Sequence, residues 1–317
     1  MREQSLTSQL RRAGFADPAR GEALLSDPAL DELKRPEYLA EFDQVADPDQ
    51  CLLAFIRLKE ACDAAGCGAI LRGLVANART RARLVALLGM SSSLGDFMIS
   101  HPHLTEEVIS HPGGHERASI STTTLAHERA LALEAVGADP ETPFPVAHGE
   151  DCINKLRVHY FTRIGALAAS DLTAPDPLEA MPEVSSQIAD IVGGTLDAAL
   201  AVARAEVEDA DKVGLAIIAM GKTGARELNY ISDVDVVYVA RGLDDGSDGG
   251  SGDAEPLDEP DVIRIATRLA TSVGRAVSAS AGEPALWILD ANLRPEGKDG
   301  PLVRTLESHV AYYDRWA

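Results

Sequence analysis

Two aspartates, Asp233 and Asp235, open the apolar, β-branched run DVDVVYVA that ends at Ala240. Such a run reads as a strand, and side chains at i and i+2 of a strand share a face. Two carboxylates held side by side repel each other, and one keeps its proton to higher pH unless a cation neutralises the pair. An oxygen-only donor set of this kind suits Mg²⁺, with Mn²⁺ as the alternative. A third acid, Asp290, closes another apolar run, Ala285–Asp290. If the two strands are neighbours, three carboxylates meet at one sheet edge. Such a site can hold two cations about 3.5–4 Å apart and clamp both oxygens of a phosphoryl or nucleotidyl transfer. Each feature alone has a plainer meaning, the DxD as a solvated pair and Asp290 as a cap or ion-pair partner.

The segment between the first two strands adds weight to the chemical reading. Val213–Met220 is a short apolar run of the buried-strand type. It leads into Gly221-Lys222-Thr223-Gly224-Ala225-Arg226-Glu227-Leu228-Asn229. A turn carrying Gly221 and Gly224 exposes backbone N–H groups that can cradle phosphate, and Lys222 and Arg226 add cations for phosphate oxygens. The plainer meaning is a strand-to-helix turn with solvated charges. Gly221-Lys222-Thr223 imitates the end of a P-loop, but the position that must be the first glycine is Ala216. The next acidic strand also follows too closely for a crossover helix, so a Walker site is excluded.

The elements that must position these residues come late in the chain. No strand-like alternation precedes about residue 210. Leu52, Leu53, Phe55, Ile56 and Leu58, then Leu71, Leu74 and Val75, then Leu84, Val85, Leu87 and Leu88 recur at helical spacing. Asp27-Pro28 and Asp47-Pro48 read as helix starts, with Asp as cap and Pro in the first turn. Gly137–Gly149 reads as a linker. Helices are expected over Asp151 to about Ser170, Pro182 to about Glu208, Val262 to about Ala279, and again after Pro301. The Gly- and acid-rich stretch Arg241–Asp261, with eight carboxylates against one arginine, reads as a solvated loop. The expectation is an α+β chain: a helical region over 1–147, then an α/β domain with a small mixed sheet over 148–317 that stops after the post-sheet helix.

Composition narrows the function classes. Lys and Arg number 29 against 50 Asp and Glu, a net charge of −21 over 317 residues. So acidic a chain repels a nucleic-acid backbone, yet a single nucleotide can still bind through metal ions. No apolar run approaches the ~18 residues of a membrane span, and Met1–Gln9 has no signal-type apolar stretch. The expected setting is the cytoplasm, without membrane or nucleic-acid partners. Cys51, Cys62, Cys67 and Cys152 form no CxxC pair and read as reduced core thiols. His101, His103, His111 and His115 lie among Pro102, Pro112, Gly113 and Gly114, which break the geometry of a helical ligand pair, and they read as loop residues or caps.

The segment AMGKTGARELNYISDVDVVYV, Ala219–Val239, resembles the signature of the glutamine synthetase adenylyltransferase family, whose members are bifunctional adenylyltransferase/adenylyl-removing enzymes. LDANLRPEG (Leu289–Gly297), continued by Gly300–Arg304 and Tyr312-Tyr313, is a second match, and Ser93–Pro102 a weaker third. The resemblance implies a nucleotidyltransferase fold of the DNA polymerase β type for the second domain. Its acidic triad maps onto Asp233, Asp235 and Asp290. Gly221 and Ser232 fall by the nucleotide phosphates with Lys222 close by, and Arg294 near the same site. Family members are much longer and carry two such domains. This chain looks like the amino-terminal part, the half that removes AMP by phosphorolysis of adenylyl-tyrosine and releases ADP. The resemblance brings glutamine synthetase, ADP or ATP, inorganic phosphate and a PII-type regulatory protein as partners. Adenylylation in the opposite direction and a non-catalytic docking module are the alternatives. Thr223 stands where the family usually has Leu, Ile231 where a small polar residue is usual, and the acidic loop Gly242–Asp261 is long for the family.

Overall fold

The structure, a computed structural model, describes residues 5–110, 125–243 and 257–316. His111, His115 and the middle of the acidic stretch, residues 244–256, lie outside the described residues. The chain is α+β: helices, with a four-stranded mixed sheet that begins only at Val213. Before the sheet come α1 (Leu6–Arg12), α2 (Pro18–Leu24), α3 (Pro36–Phe42), α4 (Pro48–Ala64), α5 (Gly68–Ala76), α6 (Ala78–Met90), α7 (Ser92–Ser100), α8 (Thr105–Ser110), α9 (Leu125–Ala135), α10 (Cys152–Asp171) and α11 (Pro177–Glu206). The chain divides into two compact units, Met1–Ser121 with Phe161–Ala180, and Thr122–Tyr160 with Met181–Ala317. Residue 148 falls inside the second.

The first unit is all helical among its described residues. Asp47 caps α4 by accepting from the Gln50 amide at 2.8 Å, with Pro48 in the first turn. The face of α4 bearing Cys51, Leu52, Phe55, Leu58 and Cys62 is buried, as are Leu84, Val85, Leu87 and Leu88 of α6 and Met98 of α7, two of the helices it packs against. Asp27-Pro28 opens a short 3-10 helix, Pro28–Lys34, in place of the expected α-helix. All four cysteines are free; Cys51 and Cys62 are core thiols, whereas Cys67 and Cys152 are only half-buried. Burial pushes the Cys62 thiol up to about 12, so it is protonated and unreactive at neutral pH. His101 is the residue after α7, its Nδ1 against the Phe97 carbonyl at 3.2 Å, and His103 lies in the 3-10 turn Pro102–Leu104. Among the described residues no single helix is long and apolar enough to cross a membrane; only α6 and α7 together reach that length and apolarity, and they are bent by 116°.

The second unit carries the sheet: β1 (Val213–Ala219), α12 (Gly221–Ala225), β2 (Val234–Gly242), α13 (Glu259–Ser278), β3 (Leu289–Asp290), β4 (Val303–Thr305) and α14 (Leu306–Trp316). β2 is the organising strand. β1 pairs with it antiparallel, Ala219 opposite Val236 and Val213 opposite Gly242. β3 and β4 both pair with it in parallel, β3 at its start and β4 further along. One face of the amphipathic α13, formed by Val262, Ile265, Ala266, Leu269, Val273, Ala276 and Val277, is buried where it packs on β1, β2 and β4. Asp258 caps α13 by accepting from the Asp261 amide at 2.9 Å. Leu228, Val234, Val236 and Tyr238 complete the core beneath the sheet start.

Three expectations need correction. The run Ala285–Asp290 is not a full strand: only Leu289 and Asp290 join the ladder. The chain does not turn directly helical after Pro301, because Val303–Thr305 first adds β4. The second long helix starts at Pro177, with Asp176 accepting from the Leu178 and Glu179 amides, and runs through Pro182. Pro182 costs the helix one N–H near an end where Leu178 and Met181 are exposed, so water can serve the freed carbonyl.

Thr223, in α12, is 5% exposed, and its hydroxyl finds no partner among the described residues. An unpaired buried hydroxyl costs about 1–3 kcal/mol. Val is nearly isosteric and no worse in a helix. Thr223→Val is therefore expected to stabilise the protein by about 1 kcal/mol, read as a rise of roughly 2–4 °C in thermal unfolding.

Candidate functional site

The expected convergence of the acids occurs. Asp235 lies directly opposite Asp290 in the parallel register of β2 and β3. Asp233 sits just ahead of β2, two residues from Asp235 along the extended chain. One carboxylate oxygen from each of Asp233, Asp235 and Asp290 lies within 4.8 Å of the others. Asp233 is exposed and the other two half-buried, so the cluster opens to solvent at the sheet edge. Burial and the negative charges of Asp233 and Asp290 raise the Asp235 pKa, and Lys222 opposes them. Three hard oxygen donors this close, on a set that repels itself, fit a divalent cation of the Mg²⁺ type. Asp290 also accepts from the Asn292 amide at 2.7 Å through one oxygen, which fixes its rotamer.

The glycine turn closes over this cluster. The Met220 amide donates to the Asp235 carbonyl at 2.9 Å, tying the end of β1 to the strand that carries the acids. Gly221 follows with φ +51°, and a Cβ there would fall onto Asp235 Oδ2. Only glycine satisfies both demands. Gly224 is constrained by space alone, since a Cβ would stand 2.5 Å from the Ala219 carbonyl oxygen. Ser232 belongs to the turn that feeds β2, its hydroxyl donating to Asn229 Oδ1 at 3.1 Å. Lys222 is exposed.

The two arginines expected at the site hold its loops. Arg226, in the left-handed conformation at φ 60° after α12, places its guanidinium on Asp190 of α11, at 2.6 and 2.9 Å through two separate nitrogens, and also donates to Ser186 Oγ. Asp190 is 1% exposed and holds the Arg226 guanidinium above its ordinary pKa. Arg294 donates to the carbonyls of Ala291, Gly300 and Lys298 at 2.8, 3.2 and 3.4 Å, closing the loop after Asp290 on itself. Asp190 and Ser186 escaped the sequence reading because they lie far upstream of the turn. Their signal was an acid in the apolar stretch Ile188–Val192. Arg226→Ala strands the buried Asp190 charge, and an expected loss of about 2–3 kcal/mol follows. Urea denaturation checks it, and adding Asp190→Asn to the variant should return most of the loss because no charge is then left unpaired.

Comparison with known proteins places these features in a family. The sequence model of glutamate-ammonia ligase adenylyltransferase matches residues 81–317. A bifunctional glutamine synthetase adenylyltransferase/adenylyl-removing enzyme of Cutibacterium acnes is 38% identical over 324 aligned residues, covering 100% of this chain and 30% of that protein. The protein of the same description from Streptomyces coelicolor is 40% identical, covering 100% of this chain and 29% of the relative. The one from Bifidobacterium longum is 35% identical, with 97% and 28% covered. The chain thus spans less than a third of the length of these curated relatives.

Proposed function

This chain belongs to the glutamate-ammonia ligase adenylyltransferase family, and from that premise we propose that its acidic site removes AMP from adenylyl-tyrosine on glutamine synthetase by phosphorolysis. The observation that carries the reading is the convergence of Asp233, Asp235 and Asp290 within 4.8 Å beside the Gly221 turn. A nucleotidyltransferase fold of the DNA polymerase β type, a cytoplasmic setting and control by a PII-type protein belong to the same proposal.

In this reading Asp233, Asp235 and Asp290 hold Mg²⁺. Bound there, Mg²⁺ would neutralise charge on the transferred phosphoryl group and align attack and departure. Gly221 keeps the space above Asp235 free of side chain. Lys222 adds the cation left facing solvent near Asp235. Arg226 and Arg294 act on the site by holding its two loops. An oxygen of hydrogenphosphate forms the new bond to the AMP phosphorus, the bond from phosphorus to the tyrosyl oxygen breaks, and the phosphate's proton ends on that oxygen. The products are ADP and free tyrosine. No strong base is needed, because the nucleophile is already anionic and a tyrosyl oxygen, of pKa about 10, is a fair leaving group. Positioning and electrostatics therefore supply most of the acceleration.

The test is incubation of adenylylated glutamine synthetase with this chain, inorganic phosphate and Mg²⁺. ADP release supports the proposal. Pyrophosphate formation from ATP and unmodified glutamine synthetase would instead assign the adenylylating direction, and binding without turnover a docking module.

A further inference from the structure

The face that carries the acids also carries an apolar side chain that the metal chemistry does not use. Asp235 is opposite Asp290 and Val234 opposite Leu289. One step toward the strand starts, the Val234 amide donates to the Ile288 carbonyl at 2.9 Å, so the two chains stay adjacent and Ile288 stands beside Asp233. Alternation places Ile288 on the same face as Asp290, two residues on. At this end of the face Ile288 is thus the neighbour of the three carboxylates. Ile288 is 71% exposed, and Ile231, in the turn two residues before Asp233, is 93% exposed. Neither packs into the core, and both put β-branched apolar surface into water next to a cation site.

We propose that Ile288, assisted by Ile231 from the adjoining turn, is the specificity surface against which the aromatic ring of the tyrosyl ester packs. This rests on the phosphorolysis reading above. The ring of that ester is joined to the reacting phosphorus through one oxygen, whereas adenine is separated from it by a whole ribose. The ribose is as close as the ring but carries hydroxyls, so the apolar group lying beside the carboxylates is the ring. An aliphatic side chain offers it dispersion and apolar burial, and no hydrogen bond that water or an aliphatic alcohol ester could use as well. When the phosphorus–oxygen bond breaks and the oxygen takes its proton, the ring leaves from the same contact.

The experiment compares Ile288→Ser and Ile288→Leu with the unsubstituted chain on two substrates, adenylylated glutamine synthetase and the methyl ester of AMP, with phosphate and Mg²⁺. The expected result is a KM for the tyrosyl substrate raised about ten-fold in Ile288→Ser and near normal in Ile288→Leu. Turnover of the methyl ester and the Kd for ADP with Mg²⁺ should change less than two-fold. An unchanged KM for the tyrosyl substrate overturns the inference, as does an equal loss of ADP affinity, which would assign Ile288 to the nucleotide. An unsubstituted chain that yields no ADP from adenylylated glutamine synthetase overturns the phosphorolysis reading and this inference with it.

Discussion

Asp235→Asn is expected to abolish phosphorolysis, by about 10³-fold or more, while raising the melting temperature of the metal-free protein. The two effects share one cause. Asp235 sits opposite Asp290 and two residues from Asp233, and those charges, after burial, hold its pKa above the ordinary carboxylate range. A carboxyl group that binds its proton more tightly folded than unfolded is most favourable below the unfolded pKa. It becomes a penalty as pH rises through the folded value. Above the folded value the metal-free protein carries that penalty, and asparagine removes it. The gain is small because the group is half-solvated, about 1–2 °C in thermal unfolding. Mg²⁺ should raise the melting temperature of the unsubstituted protein by binding the folded state, and fail to do so in the variant. A variant that lost activity and stability together, with its Mg²⁺ response intact, would make Asp235 a packing residue and end the metal assignment.

The chemistry was more legible in the sequence than the scaffold around it. The DxD on a β-branched run and the acid closing an apolar run needed only strand periodicity, and Gly221 needed only the demand for a turn. Long-range partners had no local signature. Arg226 looks like a phosphate cation in sequence, and nothing near it announces Asp190 of α11. The short strands were hidden for a related reason. Ala285–Ile288 has the composition of a strand, yet regular pairing starts only at Leu289. Upstream, Leu286 donates its amide to Val277, Glu283 donates to Asn154, and the Glu283 carbonyl is taken by Arg157. β4 spans three residues and exists because β2 offers it a free edge beyond β3, a fact of tertiary arrangement that no window of sequence contains. The polar residues that hold this unit together include buried charges on its helices, Arg157 on α10 and Asp190 on α11.

Arg157 is the strongest instance, and its replacement should carry the largest stability loss. It is fully buried on α10, at 0% exposure; burial lowers its pKa, and the Glu283 charge opposes that. Its guanidinium donates to the carbonyls of Ala276 at 2.9 and 3.1 Å, Ala279 at 2.7 Å and Glu283 at 2.8 Å. Ala276 lies in the last turn of α13, where carbonyls have no helical partners and the helix dipole is negative, so the cation is matched to the place that needs one. Arg157→Met keeps the apolar stem and leaves those carbonyls without their donor, that of the buried Ala276 out of reach of water. The expected loss is about 3–5 kcal/mol, more than a single hydrogen bond because the bonds are charge-assisted and share one donor. Arg157→Lys keeps the charge but replaces the planar fork by one ammonium, and should recover less than half of that. Urea unfolding midpoints measure both. The segment from Ala279 to Glu283 leads to β3, so the methionine variant should also lose Mg²⁺ affinity at Asp290 while retaining every acidic ligand. Unchanged Mg²⁺ affinity in a destabilised Arg157→Met protein would show that Asp290 is placed by the β2 register alone.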